Sequence, residues 1–467
     1  MPNVLKDKDL LTALADIVGL KGIITGNDVA ARYPGFFMDE ILAKAIVRPR
    51  TTAEVSKVLA LCNDIRQPVV VQGGMSGWVR ATQTKPDDIA LSLELLDEIE
   101  LIDPVNRTAV VQAGVVLENF QEQLKPYNLI FPIDLGGRGS CQIGGNAATN
   151  AGGIRVIRYG MMREQILGLE VVLPDGTIVS SLNSMIKNNT GYDIKQCFIG
   201  SEGTLGVITK LVVRLREEPT SSNTAIASVA TFEKVTRFLR HVDGALGGQL
   251  SAFELIDSDF YKVNTGKGRH RAPLQDDSPY YVIVESLGSD PDRDLEIFEN
   301  VLMSTLESDL ASDIVVAKSE SERAAIWNIR EDLEYIVADY QPFYAFDVSL
   351  PVGDMENYMT EVRKMLLSRW SDGRIAFLGH VGDGNLHIAI GAGNAEDRHD
   401  VEACIYEPLR SINGSVSAEH GIGLEKKSWL NISRSKIERQ IMWQLKSTFD
   451  PNNILNPGKI FDVDEQG

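Results

Sequence analysis

Two hydrophobic periodicities alternate along the chain and predict a protein built from both helices and strands. Apolar residues recur every three to four positions over 9–17, 38–46 and 435–448, as they do on the buried face of a helix. Shorter apolar runs, such as 69–71, end in glycine-rich turns, as strands do. After a polar break at 217–223, strand and helix patterns alternate. The pattern therefore predicts an α+β fold with a domain boundary near residue 217.

Composition narrows the class of protein. The chain has 467 residues, of which 43% are hydrophobic, and this length is enough for two or three domains. A formal net charge of −19 argues against nucleic-acid binding, because such a surface repels phosphate backbones. The four cysteines are scattered, without close pairs, which fits a reducing compartment. No apolar run is long enough to span a membrane, and the N-terminal residues lack signal-peptide character, so we expect a cytoplasmic protein.

Three glycine-rich stretches follow predicted strands. The first, 72–77, follows the strand at 69–71, and the last, 200–206, leads into a strand that continues to residue 215. Between them, 136–153 contains seven glycines in eighteen residues, with serine, threonine and asparagine among them. Each missing Cβ lets the backbone approach a large flat ligand closely, and backbone N–H groups in such turns suit a pyrophosphate. An ordinary tight turn at 72–77 and a flexible linker at 136–153 are the alternatives.

Histidines concentrate in two short segments near the C-terminus. Three of the six lie in G-H-V-G-D-G-N-L-H (379–387) and S-A-E-H-G (417–421). Asp383-Gly384 predicts a tight turn between two strands, which would place His380 and His387 opposite each other on one face. Two imidazoles at that spacing can bind a divalent cation, with Glu419 as the candidate third ligand. Alternatively, both histidines are cross-strand partners that are hydrogen-bonded to carbonyl groups. The other three histidines, His241, His270 and His399, are expected at the surface.

Two glycine-rich motifs carry a family resemblance. I-G-G-N-A-A-T-N-A-G-G (143–153) and G-S-E-G-T-L-G-V-I-T (200–209) resemble the FAD-binding oxidoreductase/transferase type 4 family. This family belongs to the vanillyl-alcohol oxidase / para-cresol methylhydroxylase superfamily. The similar branch contains D-2-hydroxyglutarate dehydrogenase, D-lactate dehydrogenase and the flavin-binding component of glycolate oxidase, and the similarity extends from about Val47 to Lys459.

The resemblance implies a domain organisation and a cofactor. It implies a two-lobed α+β FAD-binding domain at 1–216, an α+β substrate-capping domain with an antiparallel sheet at 217–415, and a C-terminal segment, 416–467, that returns to the FAD domain. The implied FAD-binding residues are Gln72, Gly73, Gly74, Met75, Ser76, Gly77, Pro132, Gly139, Ser140, Gly144, Gly145, Asn146, Thr149, Asn150, Gly153, Glu202, Gly203, Gly206, Val207, Ile208 and Asn456. For Asn456, a turn residue before proline is the alternative.

The resemblance also implies the chemistry of the site. His380, His387 and Glu419 would hold a divalent metal, with zinc expected first and manganese, iron or cobalt as alternatives. His420 would act as the catalytic base, and a neutral imidazole can take a proton near neutral pH. Arg330 would bind a substrate carboxylate with its planar fork. Its alternative is a surface ion pair with Glu334, four residues on.

The chain departs from the hydroxyglutarate-specific members at three positions. Where those members carry a lysine, an asparagine and a small hydroxylated residue, this chain has Ala345, Ala389 and Glu334. The candidate substrate-binding residues are thus Arg330, Asn385, Ala345, Ala389 and Glu334. The chain is expected to oxidise a D-2-hydroxy acid with a less acidic tail, D-lactate-like or larger, with D-2-hydroxyglutarate as the alternative.

Two other functions are possible for a chain with these motifs, and the electron acceptor and the oligomeric state are further expectations. One rival is a metal-free flavin oxidase of the same superfamily that acts on an alcohol or phenol with O2. The other is a non-catalytic flavoprotein component of a larger assembly. Because the sequence carries no second cofactor motif, electrons are expected to leave to an electron-transfer flavoprotein, a quinone or a cytochrome. A homodimer is the expected assembly.

Overall fold

The computed structural model describes residues 7–462 except 37, 39 and 267. These residues form two compact units. The first comprises the described residues up to Gly152, Gly160–Glu218, and those from Glu419 onward. The second comprises Gly153–Tyr159 and Pro219–Ala418, so that a short segment within the glycine-rich part of the chain groups with the second unit.

Both units mix helices and strands, as the α+β prediction requires. The strands are β1 (Ile23–Thr25), β2 (Ala45–Val47), β3 (Val69–Gln72), β4 (Ile89–Ser92), β5 (Ile99–Asp103), β6 (Thr108–Gln112), β7 (Leu129–Ile130), β8 (Ile166–Val172), β9 (Ile178–Ser181), β10 (Val207–Arg214), β11 (Arg216–Glu217), β12 (Ser221–Val229), β13 (Leu250–Asp257), β14 (Tyr280–Gly288), β15 (Asp313–Val316), β16 (Phe343–Ser349), β17 (Arg374–His380) and β18 (Asn385–Gly391).

Helices connect and cover these strands. They are α1 (Asp7–Val18), α2 (Asn27–Ala30), α3 (Thr52–Ile65), α4 (Leu117–Leu124), α5 (Ile143–Thr149), α6 (Val156–Tyr159), α7 (Met162–Gln165), α8 (Lys195–Phe198), α9 (Phe232–Ala245), α10 (Ser258–Thr265), α11 (Pro291–Glu307), α12 (Glu320–Glu331), α13 (Glu334–Asp339), α14 (Met355–Arg369), α15 (Arg398–Tyr406), α16 (Leu430–Ser433) and α17 (Lys436–Phe449). No helix in the described part of the chain is long and apolar enough to cross a membrane.

The first unit contains two main sheets. One has the order β1-β2-β4-β3, in which β4 runs parallel to both β2 and β3. The other is antiparallel, with the order β5-β6-β10-β8-β9. A pair of short strands, β7 and β11, accompanies them. Apolar residues of both sheets, α1, α3 and α4 share one core, so these elements stabilise one another by burial.

The helix predicted over 38–46 is wrong. The described residues there form no helix, and they lead into β2. Ile41 and Ala43 are buried while Leu42 and Lys44 are more exposed, which is the alternation of a strand rather than of a helix. The backbone N–H of Lys44 donates to the carbonyl of Asp88 at 2.9 Å, and this tertiary contact outweighs local helix propensity.

The C-terminal segment returns to β3, as predicted. The backbone N–H of Val69 donates to the carbonyl of Ile454 at 2.8 Å, and Leu455 bridges to Val69 in parallel. Ile454 and Leu455 are fully buried in the core of the first unit. The tail therefore holds the strand that leads into the first glycine-rich turn.

The second unit is built on one antiparallel sheet of seven strands, in the order β15-β12-β14-β13-β17-β18-β16. Apolar side chains from α10, α12 and α13 form a core with one face of this sheet, to which Ile256, Leu378 and Ala389 belong. Side chains two positions apart along a strand share a face. Glu254, His380 and His387 therefore lie on that same face.

Candidate active site

In the first unit, the first glycine-rich turn packs directly against the second. A Cβ built on Gly74 would lie 1.9 Å from the carbonyl oxygen of Ser140, so only glycine fits at this position. Gly73 faces Gln142 and Gly145 across the same gap. The structure thus brings the predicted cofactor residues 72–77 and 139–146 together.

Two buried polar atoms at these turns have no hydrogen-bond partner among the described residues. They are Oε1 of Gln142, whose side chain faces Gly73, and Oγ of Ser201 at the third glycine-rich turn. A buried polar atom costs free energy unless something pairs with it. A ligand with donors and acceptors along its length, such as FAD, meets that requirement, so the residues present fit the cofactor.

Asn456 holds two of the glycine-rich segments to each other. Its Nδ2 donates to the carbonyl of Glu202 at 2.6 Å, and its Oδ1 accepts from the N–H of Val71 at 2.9 Å. The side chain is buried. Both ends of the amide are therefore engaged with the protein, and a direct contact of Asn456 with the flavin stays a prediction.

Glu202 fixes the loop that follows His420. The carboxylate accepts the backbone N–H groups of Ile422 at 2.7 Å and Gly423 at 2.8 Å. Burial raises the pKa of Glu202, and these two hydrogen bonds oppose that shift. Gly421 has a φ of +85°, and a Cβ there would lie 2.8 Å from Glu202 Oε1, so a side chain at this position would displace the loop.

His420, the predicted base, lies at the end of an aromatic stack. Its ring stacks on Trp78, with centroids 5.3 Å apart and planes 23° apart. Trp78 in turn stacks on Phe36 at 5.4 Å. The sequence prediction did not include Trp78 or Phe36. The position of Trp78 directly after the glycine-rich turn was the available signal.

In the second unit, the predicted histidine pair forms, although its register differs from the prediction. His387 lies opposite Leu378, and His380 lies opposite Glu254 on β13. The chain reverses through a helical turn at Val381–Asp383 followed by Gly384, so the loop is longer than a two-residue turn. The histidines are consequently diagonal neighbours on one face, with ring centroids 5.2 Å apart.

The two imidazoles point their Nε2 atoms at each other and their Nδ1 atoms at carboxylates. The Nε2 atoms are 3.3 Å apart. His380 Nδ1 lies 2.6 Å from Glu254 Oε1, and His387 Nδ1 lies 3.6 Å from Asp347 Oδ1. A carboxylate behind Nδ1 favours the tautomer whose Nε2 carries the lone pair.

This spacing suits one cation. Two nitrogen ligands, each about 2.0–2.1 Å from a tetrahedral ion, lie about 3.3 Å apart. Two facing lone pairs repel each other unless a proton or a metal ion lies between them. His380 and His387 therefore fit a divalent metal. Glu419, the third predicted ligand, belongs to the first unit, and its place in the ligand set stays a prediction.

Arg330 reaches this cluster from α12. Its Nε donates to Glu254 Oε2 at 2.9 Å, and its second terminal nitrogen lies 3.4 Å from His380 Nε2. Arg330 is thus paired with Glu254, and not with Glu334 as in the surface alternative. Burial alone would raise the pKa of Glu254, but the nearby His380 and Arg330 outweigh it and lower the pKa to about 2.

Asp347 and Asn385 lie on the His387 side of the histidine pair. Asn385 Nδ2 donates to Asp347 Oδ1 at 2.8 Å, and the N–H of Ala418 donates to Asp347 Oδ2 at 3.0 Å. Oδ1 of Asn385 is buried without a partner among the described residues. The amide nitrogen of this predicted substrate-binding residue therefore supports Asp347, and only the amide oxygen is open to another group.

The remaining predicted substrate residues differ in burial. Ala345 and Ala389 are cross-strand partners, and they lie on the same face as His387. Ala389 is buried in the apolar core that contains Leu378, whereas Ala345 is exposed. Glu334 is exposed at the start of α13. The surface beside the histidine pair is thus small and apolar.

The sequence prediction missed Glu254 and Asp347, which support the two histidines. Each is fully buried in a mostly apolar strand. A buried carboxylate needs a donor to pair with, so an acidic residue on the inward face of a strand was the signal that could have found them.

Comparisons with known proteins show the family of this chain. Residues 43–181 match the family described as "FAD binding domain", and residues 218–460 match "FAD linked oxidases, C-terminal domain". Bovine mitochondrial D-2-hydroxyglutarate dehydrogenase is 40% identical over 420 residues, covering 90% of this chain and 77% of the relative. A Schizosaccharomyces pombe protein, provisionally named a mitochondrial D-lactate dehydrogenase, is 40% identical over 426 residues, covering 88% and 81%.

The solved structures support the fold alone. The structure of p-cresol methylhydroxylase with substrate bound has a TM-score of 0.77 at 14% identity, covering 98% of both chains. This match confirms the predicted vanillyl-alcohol-oxidase-type fold. Both relatives named above are described as mitochondrial, and a cytoplasmic location for this chain stays a prediction.

Proposed function

We propose that this chain, which belongs to the FAD-linked oxidase family, is a metal-dependent dehydrogenase that oxidises a D-2-hydroxy acid to the 2-oxo acid. The 36–40% identity to proteins named D-2-hydroxyglutarate or D-lactate dehydrogenases supports the reaction class. The single observation that carries metal dependence is the pair of Nε2 atoms 3.3 Å apart, with a carboxylate behind each imidazole.

The histidine pair would hold the cation, and Arg330 would orient the acid. His380 and His387 present two ligand atoms, and we assign Glu419 as the third ligand, which leaves positions open for substrate. A divalent cation bound there supplies Lewis acidity, which lowers the pKa of a coordinated hydroxyl group. The guanidinium of Arg330 is well placed beside His380 for the substrate carboxylate, because Nε is already held by Glu254.

His420 would take the hydroxyl proton. Its ring is held against Trp78, and Glu202 anchors the two backbone N–H groups that follow Gly421. These contacts hold the imidazole in place and reduce the conformational entropy lost when it engages substrate. FAD held by the glycine-rich turns would supply the acceptor for the hydride that leaves C2 of the substrate.

We further propose an uncharged tail on the substrate, D-lactate-like or larger. Beside His387 the face of the sheet offers Ala389 and Ala345, which cannot bind a second carboxylate. The exposed carboxylate of Glu334 would add repulsion rather than attraction. D-2-hydroxyglutarate is the competing substrate, because several relatives carry its name.

Anaerobic reduction of the bound flavin tests this function. The purified protein is mixed without oxygen with D-lactate, D-2-hydroxybutyrate, D-malate, D-2-hydroxyglutarate and the L-enantiomers, and flavin absorbance is followed. We expect rapid bleaching by the D-acids with short uncharged tails. A clear preference for D-2-hydroxyglutarate would refute the tail assignment, and absence of bleaching by any D-acid would refute the reaction class.

Chelation separates this proposal from a metal-free flavin oxidase. Metal content is measured before and after dialysis against a chelator, together with flavin reduction by D-lactate. We expect activity to fall with the metal and to return when zinc, manganese or cobalt is added. Full activity in the metal-free protein would favour the oxidase alternative.

A further inference from the structure

Glu254 binds two groups of different predicted function with its two oxygens. Oε1 lies 2.6 Å from Nδ1 of His380, and Oε2 accepts from Nε of Arg330 at 2.9 Å. The carboxylate side chain has no exposed surface, and the arginine side chain is only 12% exposed. Water therefore competes little for these bonds, and charge-assisted hydrogen bonds are strong in such surroundings.

Arg330 also reaches the atom that a cation would use. Its terminal nitrogen lies 3.4 Å from Nε2 of His380, the same lone pair that faces His387. A cation bound to that lone pair removes the acceptor and repels the guanidinium. Because Glu254 still holds Nε, the guanidinium stays in place while its terminal nitrogen becomes available to another acceptor.

We propose that Glu254 is a positioning residue that couples the metal ligand His380 to the carboxylate-binding Arg330. This inference rests on the function proposed above. Through Glu254, a cation at the histidines prepares the arginine for an anionic carboxylate. The carboxylate in turn favours retention of the cation, because coupling between two sites is reciprocal.

The other half of the cluster supplies an internal comparison. Asp347 stands behind His387 as Glu254 stands behind His380. Its oxygens, however, accept from Asn385 and from the backbone N–H of Ala418 rather than from an arginine. Both carboxylates should support metal binding, but only Glu254 should influence the carboxylate of the substrate.

A glutamine at position 254 breaks the arrangement with little change in shape. Two donors converge on the carboxylate, and an amide offers one acceptor oxygen and one NH2 group. Glu254→Gln can therefore keep either the histidine bond or the arginine bond, but not both. Asp347→Asn makes the corresponding change behind His387.

A second control addresses the general effect of disrupting a buried ion pair. Glu285 on β14 is buried and accepts from Nε of Arg155 at 3.0 Å and from Oγ of Ser251 at 2.8 Å. It does not contact the histidines in any described bond. Glu285→Gln thus removes a similar buried carboxylate from the same sheet without touching the proposed coupling.

The experiment measures two affinities on flavin-loaded protein. Zinc affinity is obtained by competition with a chromogenic chelator. The affinity for pyruvate, a 2-oxo acid, is obtained from the perturbation of flavin absorbance, with and without zinc. Circular dichroism and flavin content establish that each variant is folded.

We expect Glu254→Gln and Asp347→Asn each to weaken zinc binding about 10- to 100-fold, the usual effect of losing a group behind a metal ligand. Only Glu254→Gln should also reduce the ratio between pyruvate affinities with and without zinc. Glu285→Gln should leave both quantities within about twofold. Equal changes in that ratio for Glu254→Gln and Asp347→Asn would overturn the coupling.

Arg330→Lys keeps the test decisive if Glu254→Gln folds poorly. Lysine has a single ammonium nitrogen and no planar fork. It therefore cannot replace both the Nε bond of Arg330 to Glu254 and the second, terminal nitrogen. We expect Arg330→Lys to reduce the zinc-dependent gain in pyruvate affinity while zinc affinity alone changes less than threefold. An unchanged gain would contradict the proposal. If the wild-type protein binds zinc and pyruvate but oxidises no D-acid, the proposed function fails and the coupling still stands on these affinities.

Discussion

Ala345→Lys tests whether the tail of the substrate is chosen at the sheet face beside His387. Ala345 lies opposite Ala389, and both share the face that carries His387 and Asp347. Cβ atoms of directly opposed residues are about 4.5–5.5 Å apart. A lysine at 345 would therefore extend its ammonium group over Ala389, beside the proposed position of the substrate tail.

The size of the effect follows from exposure. A hydrogen bond to a charged group contributes about 1.5–3 kcal/mol when buried, whereas an exposed ion pair contributes about 0.2–1 kcal/mol. Ala345 is exposed and Ala389 is buried, so we take a value of about 1–2 kcal/mol. Each 1.4 kcal/mol is a factor of ten, so kcat/KM for D-2-hydroxyglutarate should rise about 5- to 30-fold.

The assay compares kcat/KM for D-2-hydroxyglutarate and for D-lactate in the same preparation, with a dye as electron acceptor. Ala345→Met is the matched control, because methionine has similar length without the charge. We expect the ratio of the two constants to rise for lysine and to stay level for methionine. A ratio that changes less than twofold with lysine would refute the assignment of this face to the tail.

Three further predictions concern the first unit and the stability of the second. Asn456→Ala removes the hydrogen-bond partners of the Val71 N–H and the Glu202 carbonyl. We expect the free energy of unfolding, measured with denaturant, to fall by about 2–4 kcal/mol and flavin to be released, which flavin fluorescence reports. Full retention of flavin by this variant would contradict the prediction. Trp78→Ala should lower kcat for D-lactate at least tenfold while zinc affinity stays unchanged. Trp78→Phe should keep most of the wild-type kcat, because a phenyl ring can still stack on His420. Burial raises the pKa of Asp257 from 3.8 to about 7. The folded protein therefore binds the carboxyl proton more tightly than the unfolded chain does. The stability contributed by this proton is complete below pH about 4 and is lost as the pH rises through about 7. The advantage of wild type over Asp257→Asn in unfolding midpoint should therefore shrink between pH 5 and pH 8; an advantage that grows with pH would contradict this sign.

Local sequence patterns predicted the elements of the site but not their partners. The strands before and after Asp383-Gly384 follow from alternation and turn chemistry, and β17 and β18 form as expected. The register was wrong by two residues, because a helical turn at Val381–Asp383 lengthens the loop, and loop length fixes register in a hairpin. The predicted face of each histidine is nevertheless correct, since a shift of two residues restores the same side.

Which histidine each supporting carboxylate faces could not be read from one sequence. Glu254 precedes His380 by 126 residues, and the strand order places β13 beside β17 although three strands separate them in the chain. Such long-range pairing depends on the whole sheet and leaves no local pattern. The same holds for Asn456, which is 385 residues from the Val71 that it binds.

The charges of the histidine cluster in the second unit bear on the choice of substrate. With both imidazoles neutral, as metal binding requires, Glu254 and Asp347 carry two negative charges and Arg330 one positive charge. A divalent cation turns this excess of one negative charge into one positive charge, and the carboxylate that we propose as third ligand cancels it. With that proposed ligand set, the cluster would be neutral before substrate binds.

In the proposed site, a monoanionic hydroxy acid would add one negative charge to that neutral cluster, and coordination to the cation would offset it locally. A dianion adds a second charge at the tail, where Ala345 and Ala389 offer no cation and the whole chain has a formal net charge of −19. A second carboxylate that loses water beside these two alanines would find no cation there, and apolar contacts with two alanines return little of that cost. The electrostatics of the proposed site would thus favour an uncharged tail, and a lysine at position 345 should weaken that preference.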